Sequence, residues 1–480
     1  MSFISFEYIV LLAFFVPMFF WLPHPHRVVF LLLVSYLFYA FARVEYLTLI
    51  LFSTVVDYFV AQKIAQTNSD AKRKRQSLLL LSIGVNLGVL FFFKYFNFFS
   101  LSAQGLLAGM GLSYDPIVHN FILPVGISFY TFQSMAYTID VYRGKLEADS
   151  SFSLFATYVA MFPQLVAGPI ERAQNILPQL RTKQHFDYDR AVSGLQLILW
   201  GVFKKVVIAD RLAVYVNDVY NNVEGFSGLP LIVATFFFTF QIYCDFSGYS
   251  DIAIGSAHIL GYDLMDNFRQ PYFSHSIRDF WRRWHISLST WFRDYVYIPL
   301  GGNRVSFGRN LVNLMIVFVV SGLWHGANWT FVIWGALHGA FIVIETIITQ
   351  RLPRFSLSIQ WLQWMLTFGL VAFAWLFFRA NSLPDAWYII THIFDFSDGR
   401  GDLLRPFFNS TLDVRVEFLL AIGGIFLLLV IEWMNRYTNW RDHIMKSRLA
   451  RYGIYYAGTF AVVFSILLIP IQSPFIYFQF

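Results

Sequence analysis

Long apolar runs separated by short polar loops repeat along almost the whole chain. Three of these runs, residues 76–93, 225–244 and 452–480, contain no Asp, Glu, Lys or Arg. A helix of about 20 apolar residues crosses the roughly 30 Å hydrocarbon core of a bilayer. Helices are the expected spanning form, because a bilayer offers backbone groups no water and the alternating pattern of barrel strands is absent. The pattern therefore predicts an all-α, polytopic membrane protein.

About 11 transmembrane helices are predicted from run length, together with re-entrant and interfacial helices, in a single domain over residues 1–480. The apolar stretch 155–170 is short and contains Pro163 and Gly168, which suits a re-entrant or half-buried segment better than a full span. The predicted spans are residues 5–22, 28–42, 46–61, 77–99, 120–140, 191–216, 229–247, 310–348 (broken), 359–378, 415–435 and 452–472.

Composition and charge narrow the class of protein. The chain is 57% hydrophobic and only 13% charged, about half the charged fraction of a soluble domain. The net charge of +6 does not predict a nucleic-acid partner, because the basic residues fall in short loops, as they do on the cytoplasmic side of membrane proteins. Loops 72–75 and 436–451 mark that side, and loop 217–228, with acids and no Lys or Arg, marks the other. Counting spans between these markers predicts that both termini are extracytoplasmic.

His325 lies inside the longest uncharged stretch, residues 310–344. As one helix these 35 residues would reach about 52 Å and overshoot the bilayer. Gly322 and Gly326 predict a break there, with His325 between two halves, buried in protein or lining a cavity. An ionisable group at membrane depth is a functional hypothesis; the alternative is a histidine that bonds between helices, and His338 fits that alternative better. No metal-ligand spacing such as HExxH is present, so no metal is predicted.

Residues 277–299, IRDFWRRWHISLSTWFRDYVYIP, place aromatic and leucine side chains on one helical arc and arginines opposite. The pattern predicts one amphipathic helix at the membrane interface, and simple anchoring of the chain is the alternative to a functional role. His285 lies at the edge of the aromatic arc. His285 is predicted to lie at the interface and His325 deep in the membrane, and the two are expected to flank a single tunnel.

Two acids and the one cysteine lie together near residue 245. Asp245 and Asp251 follow an apolar run, and we expect them to bond to helix ends or to line the cavity. Cys244 is the single cysteine, which excludes an intramolecular disulfide and a cysteine-based metal cluster.

Seven blocks spread over most of the chain are similar to blocks in one family of membrane enzymes. They are FFKYFNFF (92–99), LPVGISFYTFQSMAYTIDVYRG (123–144), FPQLVAGPIERA (162–173), YCDFSGYSDIAIG (243–255), FWRRWHISLSTWFRDYVYIPLGGNR (280–304), LWHGANWTFVIWGALHG (323–339) and SPFIYFQF (473–480). With these blocks in this order, the chain resembles the membrane-bound O-acyltransferase family and, within it, the bacterial O-acetyltransferases of alginate and peptidoglycan. The resemblance implies a fold around a central tunnel in the bacterial inner membrane.

By this resemblance His325 is the catalytic histidine and His285 the family's second, upstream position. The implied reaction moves an acetyl group from cytoplasmic acetyl-CoA to an acceptor on the other side, without another cofactor. A neutral imidazole can take the proton of the acceptor hydroxyl as its oxygen attacks the thioester. The candidate donor-binding residues are Arg282, Arg283, Arg293, Trp324 and Asn328. Bilayer headgroups are an equally good partner for the three arginines.

The terminal motif FIYFQF is predicted to lie outside, beyond the last span. By resemblance Tyr477 is a candidate acyl relay, which takes the acetyl group and presents it to a periplasmic partner, an SGNH-type acetyltransferase that modifies the polysaccharide. The alternative is a tyrosine of the interfacial aromatic belt, in contact with membrane lipids.

Three functions stay open at this level. The first is a membrane O-acetyltransferase acting on an exported polysaccharide such as alginate, with peptidoglycan or cellulose as the other acceptors. The second is a transporter or channel, which also uses broken helices and buried polar groups, although the chain shows no repeated halves. The third is a non-catalytic scaffold of a polysaccharide secretion complex.

Overall fold

The chain is helical throughout the residues that the computed structural model describes, and these contain no strand. The described residues are 2–41, 43–120, 123–165, 168–351, 359–397, 401–407, 413–438, 447–468 and 475–476. The all-α prediction is confirmed.

Eight described helices are long and apolar enough to cross a membrane, by length and composition. They are Tyr46–Gln66, Lys72–Gly109, Tyr188–Tyr220, Leu229–Ile259, Phe307–His325, Trp329–Arg351, Gln360–Arg379 and Val414–Tyr437. The other predicted spans are helices at Phe6–Trp21, His24–Ala40, Ile127–Tyr142 and Arg448–Leu468. The polytopic membrane protein is therefore confirmed, whereas the number of spans and the side of the termini stay predictions.

The chain forms two compact units, and the first comprises residues 1–198 and 252–266. In this unit the short apolar stretch folds as two helices, Phe152–Ala160 and Phe162–Leu165, followed by Ala173–Arg181. Residues 155–165 are all buried, as expected for a segment too short to span, and residues 166–167 lie outside the described part. The prediction of a single domain stays a prediction.

The second unit comprises residues 199–251 and 267–480. The helix Leu229–Ile259 runs well past residue 247, where its span was predicted to end. Asp245 Oδ1 lies 2.6 Å from Lys205 Nζ, and Asp251 Oδ2 lies 2.7 Å from Lys204 Nζ. The sequence predicted that these acids bond to helix ends or line the cavity, and it did not predict their lysine partners. The acids lie within the helix, where pairing with lysines offsets the cost of burying their charge.

The uncharged stretch forms a hairpin of two helical arms, Phe307–His325 and Trp329–Arg351, so the predicted break is confirmed. The two arms contain 19 and 23 residues, where the sequence predicted one broken span. At the helical rise they extend about 28 and 34 Å, which makes each arm long enough to cross the hydrocarbon core. His325 is the last residue of a full-length arm instead of lying between two half-helices.

Glycines bring the two arms into backbone contact. A Cβ atom on Gly322 would lie 2.3 Å from the carbonyl oxygen of Phe331, and one on Gly335 would lie 2.4 Å from that of Phe318. Small residues permit this close approach of membrane helices. Both neighbouring atoms belong to the backbone and cannot rotate away, so any larger residue must separate the arms.

The two ends of the hairpin lie at different ends of the second unit. At its base, Cζ of Arg351 lies 4.5 Å from the centroid of the Phe307 ring, so the outer ends of both arms are together. At its tip, Asn328 Nδ2 donates to the carbonyl of Asn381 at 3.1 Å. Asn381 Nδ2 in turn donates to the carbonyl of Tyr220 at 3.0 Å, which places the tip beside the acidic loop 217–228.

Residues 277–299 do not form the single helix that their periodicity predicts. They fold as helices Ile277–Arg283 and Ile286–Phe292, followed by a π-helical turn at Arg293–Tyr297. The break between the two helices is held by another part of the unit. The N–H of Arg269 donates to the carbonyl of Arg283 at 2.9 Å, and the N–H of Ile286 donates to the carbonyl of Asn267 at 3.0 Å.

The aromatic arc of this segment faces protein, and the interfacial placement of the segment stays a prediction. The side chains of its aromatic arc are packed inside the protein, where they contact neighbouring helices of the second unit. The buried members of the arc are Phe280, Trp281, Trp284, Leu288, Trp291 and Phe292. Because the arc lies against protein instead of lipid, the amphipathic pattern here reports a buried face and a polar face.

Candidate active site

His325 is the last residue of the first arm of the hairpin. Its side chain is enclosed by aromatic rings, which we call the aromatic chamber. Its side chain is 3% exposed. The centroid of its ring lies 4.9 Å from that of Trp334, 5.0 Å from Trp324 and 5.4 Å from Phe378. The histidine is thus surrounded by protein, as expected from the cost of exposing it to lipid.

His285 occupies the break between the helices Ile277–Arg283 and Ile286–Phe292 and is fully buried. Its φ of 42° lies in the left-handed region, which is uncommon for a residue with a side chain. Asn267 fixes this turn, since its carbonyl accepts the N–H of Ile286 and its Oδ1 accepts the hydroxyl of Ser287 at 2.6 Å. Backbone strain of this kind persists only where the surroundings impose it, and it clusters at functional sites.

The two histidines are neighbours, with ring centroids 6.4 Å apart. The sequence predicted that they flank a single tunnel, one interfacial and one deep; the structure brings their rings together, while the tunnel and the depth of each histidine in the membrane stay predictions. Burial lowers the pKa of His285 to about 3, so its imidazole is neutral at physiological pH. A neutral imidazole offers one nitrogen that donates and one that accepts, which suits orienting a partner or polarising a carbonyl.

A cavity of about 490 Å³ lies along the first arm of the hairpin. This volume is in the usual range of small-molecule sites. On the arm it is lined by Asn310, Leu314, Val317, Phe318 and Ser321, a stripe at helical spacing that covers about 16 Å. Ser321 precedes His325 by one helical turn, and Ile286, the residue after His285, also lines the cavity. The cavity therefore extends to within one turn of the two histidines.

Arginines line the same cavity, and they are not quite the set that the sequence suggested. Arg282 and Arg293 line it and are exposed to solvent, whereas Arg283 pairs with Asp279 at 2.9 Å and is not among the described lining residues. Arg278 lines the cavity and was missed. Its position four residues before Arg282 puts both on one helical face, and this spacing is the signal that would have found it.

Trp324 and Asn328, the other two donor-binding candidates, lie at the tip of the hairpin. The ring centroid of Trp324 is 6.1 Å from that of His285 and 5.0 Å from that of His325, so it contacts both histidines. Asn328 caps the second arm, because its Oδ1 accepts the N–H of Thr330 at 3.0 Å while its Nδ2 bonds to Asn381. These bonds give Asn328 a structural role.

The described end of the terminal motif is buried in the second unit. Phe475 is 1% exposed and Ile476 is 3% exposed. The N–H of Ile476 donates to Asp245 Oδ2 at 2.7 Å, while the other oxygen of that carboxylate pairs with Lys205. These two residues are therefore held inside the unit, whereas the sequence placed the whole motif beyond the last span.

Aromatic contacts connect this segment with the histidines. The ring of Phe475 lies 5.8 Å from that of Phe246, and Phe246 lies 4.6 Å from His285, both between centroids. Tyr477 itself lies outside the described residues, so its role as an acyl relay stays a prediction.

The chemistry of the site points to acid–base catalysis on a bound organic group. Two buried imidazoles lie within one helical turn of a cavity whose wall carries three guanidinium groups. Among the described residues, no group of three or more His, Cys, Asp or Glu side chains is placed to hold a metal ion. A buried imidazole near a cavity lined by guanidinium groups, which as a class bind phosphate oxygens well, is compatible with acyl transfer from a phosphate-bearing carrier.

Comparison with known proteins leads to the same chemistry. The probable alginate O-acetylase AlgI of Azotobacter vinelandii is 41% identical over 393 residues, which cover 81% of this chain and 78% of that protein. AlgI of Pseudomonas aeruginosa is 42% identical over 375 residues, 77% of this chain and 70% of that protein. The peptidoglycan O-acetyltransferase of Helicobacter pylori is 39% identical over 383 residues, 74% of this chain and 71% of that protein.

The family match covers the hairpin, the cavity and both histidines. Residues 145–383 match the membrane-bound O-acyltransferase family. The teichoic acid D-alanyltransferase of Bacillus subtilis, a transferase of a different acyl group, is 26% identical over 280 residues. The prediction of an enzyme is thereby confirmed over the transporter and the scaffold. This chain belongs to the membrane-bound O-acyltransferase family and is an acyltransferase.

Proposed function

We propose that this protein takes acetyl groups from acetyl-CoA on the cytoplasmic side of the bacterial inner membrane and transfers them for O-acetylation of an exported polysaccharide. The observation that carries the proposal is the cavity, which has arginines on its wall and ends one turn from His325. Relatives named alginate O-acetylase and peptidoglycan O-acetyltransferase support acetyl as the group and a polysaccharide as the acceptor.

Acetyl-CoA fits the chemistry of the cavity wall. Its phosphates are suited to Arg278, Arg282 and Arg293, since guanidinium groups bind phosphate oxygens in pairs of charge-assisted hydrogen bonds. Its long, uncharged arm is suited to the stripe of Leu314, Val317 and Phe318, which leads toward His325. A donor oriented in this way brings its thioester to the two histidines.

The position of the hairpin supports a cytoplasmic donor. The arginine-lined cavity begins near the base of the hairpin, whereas the tip lies beside loop 217–228. That loop has acids and no Lys or Arg, which is typical of the extracytoplasmic side. The donor would then enter from the cytoplasm, and His325, next to the tip, would meet an acceptor from the opposite side.

The proposed reaction uses His325 as the general base. Its imidazole takes the proton of the acceptor hydroxyl while the hydroxyl oxygen attacks the carbonyl carbon of the thioester. The carbon–sulfur bond then breaks, and the thiolate leaves with the proton that His325 returns. His285, neutral and 6.4 Å away between ring centroids, is suited to orient His325 or to polarise the carbonyl.

Arg282→Ala is expected to raise the KM for acetyl-CoA about tenfold while leaving kcat within about twofold, because one phosphate contact worth about 1.4 kcal/mol is lost. The measurement is acetyl-CoA consumption by the purified protein in lipid nanodiscs. Arg283→Ala is the matched control, because Arg283 is the next residue in the chain and its guanidinium group pairs with Asp279. Equal KM values for the two variants would show that the donor phosphates do not bind in this cavity.

Alginate is the acceptor that we propose first, because proteins named alginate O-acetylase are 39–42% identical to this chain. Peptidoglycan and cellulose are the alternatives. Peptidoglycan is the acceptor in the name of the Helicobacter pylori relative. In each case we propose that a periplasmic transferase of the SGNH type receives the acetyl group and modifies the polymer. The membrane protein would then supply the acetyl group, and its partner would select the polymer.

Tyr477 is the residue that we propose as the relay to this partner. The buried neighbours Phe475 and Ile476 support the proposal, because they hold the start of the motif close to His285. After incubation with acetyl-CoA, mass spectrometry of the C-terminal peptide is expected to find acetyl on Tyr477 when the partner is absent. The Tyr477→Phe variant is the control, and a wild-type peptide without acetyl would contradict the relay.

A further inference from the structure

Three buried nitrogen atoms in the aromatic chamber have no hydrogen-bond partner among the described residues. They are Nε1 of Trp334, Nε1 of Trp375 and Nε2 of His338, all in side chains with 0% exposure. An unsatisfied buried donor costs about 1–3 kcal/mol. Buried polar groups in native proteins almost always have partners, so a group of exceptions calls for a specific reason.

The hydrogen bonding of His338 fixes which of its nitrogens can donate. Trp281 donates its indole N–H to Nδ1 of His338 at 3.3 Å. Because Nδ1 accepts this bond, the hydrogen of the neutral ring is on Nε2. His338 therefore presents an N–H group at Nε2, as Trp334 does at Nε1.

These two donors lie between the cavity and His325. Two residues of the cavity wall, Trp281 and Phe318, contact His338, with ring centroids 5.0 and 6.3 Å away. On the other side, Trp334 contacts both His338 at 5.0 Å and His325 at 4.9 Å. The rings that carry these two N–H groups therefore connect the cavity wall with His325.

We propose that the indole N–H of Trp334 and the Nε2–H of His338 bind the carbonyl oxygen of the acyl donor and form the oxyanion hole of the transfer. The inference rests on the proposed acyl transfer at His325. When the acceptor oxygen bonds to the carbonyl carbon, the electron pair of the C=O bond moves to its oxygen, and the two N–H groups stabilise that negative charge. This electron pair re-forms the C=O bond as the carbon–sulfur bond breaks, and the thiolate leaves.

The arrangement has two physical features of an oxyanion hole, fixed donors and exclusion of water. The donors are fixed by packing, since Trp334 is stacked on Trp375 at 5.7 Å and His338 is held by Trp281. They are shielded from water, so their interaction with a developing charge is stronger than in solvent. Groups that are already oriented toward the position of the charge need no reorganisation during the reaction.

The test replaces the N–H of Trp334 without changing the packing. Substitution by benzothienylalanine puts sulfur where the indole has N–H and keeps the size of the ring, and Trp334→Phe is a second variant. Trp364→Phe is the matched control in the same unit, because the N–H of Trp364 already donates to the carbonyl of Tyr272 at 2.6 Å. Steady-state acetyl transfer and thermal stability are measured on the full-length protein in nanodiscs.

We expect both Trp334 variants to lose about 10²–10³-fold in kcat, the usual effect of removing one oxyanion donor, with KM for acetyl-CoA within about twofold. The benzothienylalanine variant should melt within a few degrees of the wild type, because its packing is kept, and the Trp364→Phe control should keep its kcat. A benzothienylalanine variant with kcat near wild type, or with only a raised KM, would overturn the inference. Activity that survives His325→Ala would instead refute the proposed function.

Discussion

Replacement of His325 by alanine is expected to reduce acetyl transfer by about 10³-fold, within the range for loss of a general base. His338 does not offer a substitute base, because its Nδ1 accepts the indole N–H of Trp281 and its Nε2 carries the hydrogen of the neutral ring. The measurement is the acetyl content of exported alginate, by NMR, in an alginate-producing strain that lacks its own O-acetylase. The same preparations report whether alginate, and not another polymer, carries the acetyl groups.

Folding and insertion must be unchanged for this result to concern chemistry. His325 contacts Trp334, Trp324 and Phe378 by ring packing, so His325→Gln, which keeps much of the side-chain volume, is a second inactive variant. His26→Ala, at an exposed position of the first unit, is the control for expression and membrane content. More than a tenth of wild-type acetylation in His325→Ala would exclude this histidine as the base.

The second large effect is expected from Gly322→Ala. The added methyl carbon would lie 2.3 Å from the carbonyl oxygen of Phe331, and neither backbone can move without separating the arms of the hairpin. We expect a loss of about 3 kcal/mol in folding free energy, at the upper end for overpacking, together with loss of transfer, since His325 follows Gly322 by one turn. The measurement is the melting temperature in detergent by fluorescence-detected size exclusion.

Gly369→Ala is the matched control for this prediction. Gly369 also lies in an apolar helix, Gln360–Arg379, but a Cβ atom there would meet nothing within 4 Å. Because alanine is favoured over glycine in a helix by about 1 kcal/mol, this variant should be as stable as the wild type or slightly more so. If both variants melted at the same temperature, backbone contact between the arms would not be what requires glycine.

Local sequence was enough to predict most helices and the break in the uncharged stretch. Apolar runs of spanning length determine a helix by themselves, because lipid leaves the backbone no alternative. The length of the run 310–344 and its two glycines likewise required the turn that follows His325. His325 and His285 were both identified from the sequence, the first by its setting in that run and the second by resemblance to the family.

The incorrect predictions concern features that depend on distant residues. The break at His285 is held by the hydrogen bonds that Ile286 donates to Asn267 and Arg269 donates to Arg283, which no periodicity within 277–299 reveals. The helix Leu229–Ile259 continues through Asp245 because Lys205, forty residues earlier in the chain, pairs with it. The cavity and the position of Arg278 also require the packed unit. Pairing between remote positions is the information that a single sequence lacks.

The hairpin also bears on the predicted number of membrane crossings. The charge pattern puts loops 72–75 and 436–451 on one side and loop 217–228 on the other. If the segment 307–351 crossed the membrane only once, the helices Gln360–Arg379 and Val414–Tyr437 after it would leave loop 436–451 on the same side as loop 217–228. The charge pattern predicts opposite sides for these two loops. The outer ends of its two arms lie together, and its tip lies beside loop 217–228. The hairpin is therefore counted as two membrane crossings, which is an even number. Counted as two crossings, the hairpin agrees with the prediction that both termini share a side.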